Sequence, residues 1–249
     1  MKLRAFASLA VLVGSLSLFC QVMSHAAAPE ATKGPPQSTT EPVPRDQRWM
    51  TRHDLINERA KQGPIDLLFI GDSITQGWEV AGKDAWAKYY GPRHAMNAGI
   101  GGDRTQHVLW RLDNGNVEGI QPKLAVLMIG TNNSGDNTSE DIAAGVKAIV
   151  ERLRSKLPDT KVLVLAVFPR GADANDPRRK VNDAANQIIK QLADDQNVFY
   201  LDIGPKFLGN DGTLSKEIMP DLLHLSPKGY EIWAASIEPK VAELMGEKK

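Results

Sequence analysis

Short apolar segments alternate along this chain with longer stretches in which apolar residues recur at helical spacing. The apolar segments lie at 65–70, 95–98, 124–129, 162–168 and 198–201. The stretches with helical spacing lie at about 105–113, 139–157, 178–194 and 226–245. This alternation is typical of a parallel sheet whose two faces are both covered by helices. The pattern therefore predicts a single α/β domain in which the short segments are strands.

The composition permits one globular domain and gives no basis for a nucleic-acid partner. The chain has 249 residues, of which 42% are hydrophobic, enough for a sizeable core. Its 30 Lys and Arg residues balance 30 Asp and Glu residues, and no basic stripe stands out. A nucleic-acid-binding surface needs such a concentration of positive charge.

The amino-terminal residues have the three-part composition of a secretory signal peptide. Lys2 and Arg4 supply positive charge, residues 5–22 are largely apolar, and small residues follow as far as Ala28. This arrangement predicts a signal peptide over 1–28 and a secreted or periplasmic protein with no stable membrane partner after cleavage. The alternative is an uncleaved N-terminal membrane anchor, because about 18 apolar residues approach the minimum for a membrane span.

Residues 29–48 begin with a segment rich in Pro, Thr and Ser that has no apolar run. Such a segment cannot bury enough apolar surface to fold, so residues 29–48 are predicted to be a flexible linker. The folded domain is then expected to span 49–249. Because Cys20 is the only cysteine, a mature domain would have none, and neither disulfides nor thiol chemistry are expected.

Polar or glycine-rich residues follow several predicted strands at the point where each strand ends. Gly71-Asp72-Ser73 follows the first strand, 99–103 the second, and 130–133 the third. The segment 221–224, Asp-Leu-Leu-His, stands just before the last helical stretch. The carboxyl ends of parallel strands lie at one edge of the sheet, where ligands of open α/β sheets bind. These four segments are therefore expected to converge.

Three of these side chains suit ester hydrolysis. A serine hydroxyl such as that of Ser73 becomes a nucleophile when a base removes its proton, and histidine does this near neutral pH. A carboxylate then holds the imidazole in the required tautomer, and Asp221 precedes His224 closely enough to do so. The pattern predicts Ser73 as nucleophile, His224 as base and Asp221 as the orienting acid.

The negative charge that develops on an ester carbonyl needs hydrogen-bond donors, and removing one typically costs about 10²–10³ in kcat. The candidates for this oxyanion hole are the backbone N–H groups of Ser73 and Gly102 and the side-chain amide of Asn132. Taken singly, each residue also has a simpler interpretation. Ser73 and Asp221 are common at helix starts, Gly102 and Asn132 are common in turns, and His224 could be a buried structural histidine.

Taken together, the segments resemble the SGNH (GDSL) hydrolase superfamily, in the order GDSIT (71–75), GIGGD (99–103), GTNN (130–133) and DLLH (221–224). The resemblance covers about 65–245, nearly the whole predicted domain. Longer sequence segments narrow the resemblance to one subfamily, the catalytic α subunits of intracellular platelet-activating-factor acetylhydrolases and their bacterial relatives. The segments similar to that family are NAGIGGDRTQHVLWRLDNG (97–115), GTNN (130–133), FPRG (168–171) and DLLHLSPKGY (221–230).

The resemblance implies a three-layer, flavodoxin-like fold of five parallel strands, in the order 2-1-3-4-5, with helices on both faces. It also implies hydrolysis of short acyl esters, acetyl esters first, with no metal and no cofactor. The residues that correspond to the family's triad and oxyanion hole are Ser73, His224, Asp221, Gly102 and Asn132. Leu223 would help to line a small acyl pocket, with Ile74 beside it. Because the family's α subunits form dimers, a homodimer is one expected assembly.

The export signal departs from that family, whose α subunits are cytosolic. An exported enzyme is expected to meet acetylated carbohydrates rather than a signalling lipid, so the favoured substrate is a small-molecule or glycan ester. The alternative within enzymes is a lipid-directed acylhydrolase, such as a lysophospholipase or a thioesterase. A non-catalytic glycan-binding module would be expected to lack part of the triad. A metal-dependent phosphoesterase would need a His and Asp cluster with ligand spacing, which the sequence does not show.

Overall fold

The computed structural model describes residues 37–247. The predicted signal peptide, 1–28, and the first part of the predicted linker, 29–36, lie outside the described residues. The strands are β1 (Leu67–Gly71), β2 (Ala95–Gly99), β3 (Leu124–Met128), β4 (Lys161–Leu165) and β5 (Val198–Leu201). The helices are α1 (Gln47–Ala60), α2 (Ser73–Gln76), α3 (Lys83–Tyr89), α4 (Thr105–Asp113), α5 (Ser139–Lys156), α6 (Pro177–Ile189) and α7 (Pro227–Met245). Among residues 37–247, no helix has the length and apolar composition needed to cross a membrane.

The strands form one parallel sheet in the order β2-β1-β3-β4-β5. Every residue of β1 and of β3 is buried, as expected for central strands covered on both faces. The strand order reverses at β1, because β2 pairs with one of its sides and β3 with the other. The crevice at the carboxyl ends of the strands beside such a reversal is the usual ligand site of open α/β sheets. The predicted five-stranded, flavodoxin-like sheet of order 2-1-3-4-5 is confirmed.

Each face of the sheet is covered by a different set of helices. Alternate residues of a strand point to opposite faces. On one face, Leu68 and Ile70 of β1 pack with apolar residues of α1, α4, α5 and α6. On the other face, Leu67 and Phe69 pack with residues of α3 and α7, among them the fully buried Trp233. Each such buried apolar side chain contributes about 1.5–3 kcal/mol, and this packing on both faces holds the carboxyl edge of the sheet in place.

Residues 37–46 pack on the domain, so the prediction of a flexible linker is wrong for this part. Thr39 is 5% exposed. Its hydroxyl donates to the Asp141 carbonyl at 2.6 Å, and its carbonyl accepts from the Thr105 hydroxyl at 2.8 Å. Hydrogen bonds to α4 and α5 therefore replace the apolar burial that this segment lacks. The segment ends at Asp46, whose side chain caps α1, and α1 begins two residues before the predicted domain boundary.

Candidate active site

The turn between β1 and α2 places Ser73 at the carboxyl edge of the sheet. Asp72 caps α2, because its carboxylate accepts a hydrogen bond from the Ile74 N–H at 2.9 Å. Ser73 is the first residue of this helix, so its backbone N–H has no partner within the helix. Gly71, the last residue of β1, has to be glycine, because a Cβ at this position would lie 2.4 Å from the Met128 carbonyl oxygen. The capping role therefore belongs to Asp72, and the Ser73 hydroxyl is left for other contacts.

Ser73, His224 and Asp221 form a continuous hydrogen-bonded chain. The Ser73 Oγ lies 2.8 Å from His224 Nε2, and His224 Nδ1 lies 2.6 Å from Asp221 Oδ2. Asp221 Oδ1 also accepts from the His224 backbone N–H at 2.7 Å. The carboxylate favours the tautomer with its proton on Nδ1, which leaves Nε2 to accept the serine proton. The structure thus brings together the three residues singled out in the sequence, in the order that proton transfer from serine requires.

Asp221 and His224 face solvent, with 56% and 44% of their side chains exposed. Partial burial raises the pKa of the Asp221 carboxyl, but the hydrogen bonds from the His224 ring and backbone outweigh it and lower the pKa below its ordinary value. Asp221 is therefore ionised near neutral pH. In this state its charge is suited to stabilising an imidazolium at His224.

The turn that carries Asp221 and His224 contains a residue in the left-handed region. Leu222 has a φ of +60°, which costs a side chain of this type about 1–3 kcal/mol. Two backbone hydrogen bonds hold it: its N–H donates to the Met219 carbonyl at 2.8 Å, and its carbonyl accepts from the Gly171 N–H at 2.9 Å. Gly171 belongs to the FPRG segment after β4. This segment therefore holds in place the turn that carries His224.

The other two predicted oxyanion donors lie on the loops after β2 and β3. Gly102 has a φ of +77°, which favours glycine, and no acceptor for its N–H is found within residues 37–247. The Asn132 amide donates to the Asp103 carbonyl at 2.9 Å and to Asp72 Oδ2 at 3.5 Å. The second contact is longer than a usual hydrogen bond, so this hydrogen can turn to a better acceptor. The Gly101 N–H donates to Gln76 Oε1 at 2.7 Å, which links the loop that carries Gly102 to α2, the helix that begins with Ser73. Backbone and amide donors therefore collect around one edge of the sheet.

A buried ion pair lies behind this edge and was not foreseen as part of the site. Asp103 and Arg111 are both fully buried, and Arg111 Nε donates to Asp103 Oδ2 at 2.9 Å. Trp49 Nε1 donates to Asp103 Oδ1 at 2.6 Å, and Arg111 Nη2 reaches the Gly71 carbonyl at 3.3 Å. Buried charges persist only when their partners satisfy them. Asp103 therefore joins α1, α4 and the end of β1, and its own carbonyl orients Asn132.

The other described histidines have structural partners. His107 is buried, and burial lowers its pKa to about 3, with the charges of nearby arginines adding to the effect. Its neutral ring accepts the Arg104 N–H and helps to cap α4. His94 pairs with Asp66 at 2.7 Å, and His53 stacks on the Trp49 ring. Within residues 37–247, no group of three or more His, Cys, Asp or Glu side chains is arranged to hold a metal ion.

The two residues expected to line an acyl pocket lie in different surroundings. Ile74 is 1% exposed and packs in the core with Trp78 and Phe69, so the structure does not support a substrate contact by its side chain. Apolar residues of α3 and α7 belong to the same buried cluster as Ile74. Leu223 is partly exposed and adjoins His224, and its role in binding an acyl group remains a prediction.

Asp72 is fully buried behind Ser73, and its protonation is coupled to folding. Burial raises the pKa of Asp72 to about 7; the Ile74 N–H opposes this rise, and the Asp103 charge adds to it. A carboxyl whose folded pKa exceeds its unfolded value binds more protons in the folded state. Its contribution to the free energy of unfolding is therefore fully present below the unfolded pKa and is lost as pH rises towards about 7.

We expect Asp72→Asn to remove this part of the pH dependence. The asparagine keeps an oxygen for the Ile74 N–H and does not ionise, so between pH 4 and 8 the wild type should lose up to about 4 kcal/mol of unfolding free energy relative to the variant. Urea unfolding at a series of pH values measures the difference. Parallel stability profiles for the two proteins would show that Asp72 does not hold a proton in the fold.

Comparison with known proteins identifies sequence relatives of this arrangement. The sequence model of the GDSL-like Lipase/Acylhydrolase family matches residues 69–232. The chain is 40% identical over 208 residues to the platelet-activating factor acetylhydrolase IB subunit alpha2 of Rattus norvegicus, covering 83% of this chain and 89% of that protein. It is 42% identical over 189 residues to the human alpha1 subunit, covering 76% of this chain and 80% of that protein.

Solved structures share the fold at lower sequence identity. A putative platelet activating factor from Streptococcus pneumonia superposes with a TM-score of 0.63 at 22% identity, covering 78% of this chain and 94% of that chain. Axe2, an acetylxylan esterase from Geobacillus stearothermophilus, superposes with a TM-score of 0.57 at 18% identity, covering 73% and 94% of the two chains. At these identities the likeness concerns the fold.

Proposed function

We propose that this chain, a carboxylic ester hydrolase that belongs to the GDSL-like lipase/acylhydrolase family, is an exported serine esterase. Its proposed substrates are short-chain esters, chiefly acetyl esters. The observation that carries the proposal is the 2.8 Å contact of Ser73 Oγ with His224 Nε2, extended by Asp221. A base held in this way against a serine hydroxyl at a sheet edge has a direct chemical use in acyl transfer.

Acylation starts when Ser73 Oγ attacks the ester carbonyl carbon and its proton passes to His224 Nε2. The carbonyl oxygen becomes an oxyanion, which accepts hydrogen bonds from the Ser73 and Gly102 N–H groups. It also accepts from the Asn132 amide hydrogen, which exchanges its long 3.5 Å contact with Asp72 Oδ2 for this stronger one. Asp221 stabilises the imidazolium. His224 then gives the proton to the leaving alkoxide, the C–O bond to the alcohol breaks, and the acyl group stays on Ser73.

Deacylation repeats these steps with water. His224 Nε2 takes a proton from the water, whose oxygen attacks the acyl carbon and forms a second oxyanion in the same place. The bond to Ser73 Oγ breaks, and His224 returns the proton to the serine. The carboxylic acid leaves, and the residues regain their starting states.

An acetyl group is favoured as the acyl part because it is common to the names of proteins similar to this one. The sequence relatives are acetylhydrolases of platelet-activating factor, and Axe2 is an acetylxylan esterase. These proteins differ in the alcohol from which the acetyl group is removed. For this chain, acetylated carbohydrates are the favoured substrates because of the predicted export signal. A lipid acetate is the second candidate, and the identity of 40% to a platelet-activating-factor acetylhydrolase subunit supports it.

Two substrate series test the proposal. In the first, p-nitrophenyl acetate, butyrate and octanoate vary the acyl chain, and we expect kcat/KM to fall steeply after acetate. In the second, acetylated xylo-oligosaccharides and monosaccharides are compared with short-chain lipid acetates. Release of acetate from the carbohydrates supports the favoured candidate, whereas turnover of the lipid alone would replace it with the second. No hydrolysis of any acetate would refute the activity.

Export is supported by the charged start, apolar centre and small residues of 1–28. Sequencing the amino terminus of the protein recovered from the medium or periplasm tests this part separately. A mature chain beginning near residue 29 agrees with cleavage, and an intact chain in the membrane fraction would support the anchor. The homodimer suggested by the family remains a prediction, which light scattering of the purified protein measures.

We expect Asn132→Ala to lower kcat on p-nitrophenyl acetate by about 10²–10³, with a small change in KM, because it removes one oxyanion donor. Asn114→Ala is the matched control, since Asn114 is an exposed asparagine just after α4 whose side chain bonds only the Trp110 carbonyl among residues 37–247. Steady-state kinetics compare the two. Equal kcat values for both variants would exclude Asn132 from the oxyanion hole.

A further inference from the structure

A cavity lies beside the nucleophile, between the first turn of α1 and the loop that carries Gly101. Its volume is about 360 Å³, and its wall includes Arg45, Arg48, Arg52, Gln76 and Gly101. Gln76 belongs to the same helical turn as Ser73. A methyl group placed on the Gly101 Cα would lie 3.8 Å from the Ser73 Cβ. The cavity therefore adjoins the place where an ester would react.

The size of the cavity indicates which part of a substrate it suits. A volume of this order is at the lower end for small-molecule sites, and it exceeds what an acetyl group needs. On the proposed function, on which this inference rests, the acyl part is small and the rest of the substrate is the alcohol. The larger alcohol part is therefore the natural occupant.

The charges that border the cavity are predominantly positive. Arg45 Nη1 donates to the Gly101 carbonyl at 2.8 Å and lies 3.7 Å from Asp103 Oδ1. That carboxylate is already satisfied by the buried partners described above, so the Arg45 charge is only partly compensated. Arg48 is exposed, and within residues 37–247 no acceptor contacts its guanidinium.

Two carboxylates lie at the cavity, and one of them, Asp46, is part of its wall. Asp46 accepts the Trp49 N–H at 3.1 Å as the cap of α1, which lowers its pKa and keeps it ionised. Glu79 forms an ion pair with Arg52 at 2.5 Å. Glu79 thus neutralises Arg52, and the ionised Asp46 offsets part of the Arg45 charge. With Arg48 counted, the cavity keeps a net positive charge and guanidinium donors for an anion.

We propose that this cavity is the subsite for the alcohol part of the substrate and that Arg45 and Arg48 select an alcohol carrying an anionic group. A carboxylate or a phosphate has the required chemistry, since both accept charge-assisted hydrogen bonds from guanidinium groups. The preferred substrates are then acetyl esters of acidic alcohols, such as sugar acids or sugar phosphates, rather than of neutral ones.

Matched phenyl acetates test the subsite. The anionic probes are 4-acetoxybenzoate and 4-acetoxyphenyl phosphate, and the neutral probe is methyl 4-acetoxybenzoate; release of the phenol is followed. The quantity of interest is the ratio of kcat/KM for an anionic probe to that for the neutral probe, because effects on the triad cancel in it. We expect Arg45→Gln and Arg48→Gln each to lower the ratio about threefold, and the double variant about tenfold.

Arg59→Gln is the control variant. It removes the same charge from the same helix, about 16 Å along its axis from Arg48 at 1.5 Å per residue, and should leave the ratio unchanged. Because Arg48 is exposed and makes no described side-chain hydrogen bond, Arg48→Gln is expected to fold, and its melting curve verifies this. The ratio of the wild type should also fall as sodium chloride is raised, since salt screens exposed charges.

The outcomes separate this inference from the proposed function. A lowered ratio with either anionic probe supports the subsite, and the probe that responds identifies the anion. An unchanged ratio in the double variant, with hydrolysis still dependent on Ser73, overturns the subsite and leaves the esterase intact. If the wild type hydrolyses none of the probes, the proposed function fails and the subsite fails with it.

Discussion

Replacing Ser73 by alanine should reduce the hydrolysis of p-nitrophenyl acetate by about 10⁴-fold or more. The change removes the only atom that bonds His224 Nε2 among residues 37–247. It leaves the backbone N–H of residue 73, which is one of the proposed donors to the oxyanion. No acyl group can then be held on the enzyme. Steady-state rates, together with mass spectrometry for an acyl-enzyme, measure the effect.

The fold should survive this substitution, because Ser73 is only partly buried and its hydroxyl has no other described partner. Ser139→Ala is the matched control, since Ser139 is a serine at the first position of another helix, α5, and its hydroxyl bonds the Glu140 carboxylate. Its activity should equal that of the wild type. Retention of wild-type turnover by the Ser73 variant, with an unchanged melting temperature, would remove the nucleophile from the proposal.

Replacing His224 by alanine should cost a similar factor, about 10⁴ or more, because triad members act as a unit. Without the ring, no base takes the serine proton and no acid protonates the leaving alcohol. Added imidazole should restore part of the rate, since the missing ring leaves a space beside Ser73. Asp221→Asn should cost roughly ten- to a hundredfold less than the loss of His224, because the base is still present but less well oriented.

The chain offers a matched control for the histidine. His94 also pairs with an aspartate, at 2.7 Å from Asp66, but it is exposed and lies before β2, far from the catalytic edge. Asparagine is the suitable replacement because His94 has a φ of +44°, which asparagine tolerates. The His94→Asn variant should keep full activity; a comparable loss in both variants would point to folding rather than catalysis.

The sheet and the long helices could be predicted because their signals are local and strong. The segments 95–98 and 198–201 differ from β2 and β5 by at most one residue at an end, and the start of α4 agrees with the periodicity at 105. Burial of parallel strands on both faces produces continuous apolar runs, which are visible without knowledge of neighbours. The short helices α2 and α3 escaped notice, because one or two turns give too few residues for a period to appear.

The segments that carry the candidate triad and oxyanion donors could be found in the sequence because each follows a strand or precedes a helix. The contacts that hold these segments in place could not be predicted in the same way. Trp49 and Asp103 are far apart in the chain, and nothing in the text of either segment indicates their 2.6 Å contact. Ile74 was expected near the substrate from its neighbour Ser73, and only the packing of α7 shows that it faces the core. Thr39 was missed because hydrogen bonds, unlike apolar periodicity, leave no pattern in composition.

The packing of residues 37–46 has a practical consequence for anyone who re-engineers delivery of this enzyme. A purification tag, a replacement leader or a lipid tether joined ahead of Gln37 leaves untouched the bonds of Thr39 to α4 and α5. Fusion at Trp49, where composition alone suggests starting, would discard those bonds together with Arg45 and the Asp46 cap. The folded unit of the enzyme thus begins upstream of its first helix, within residues 37–46.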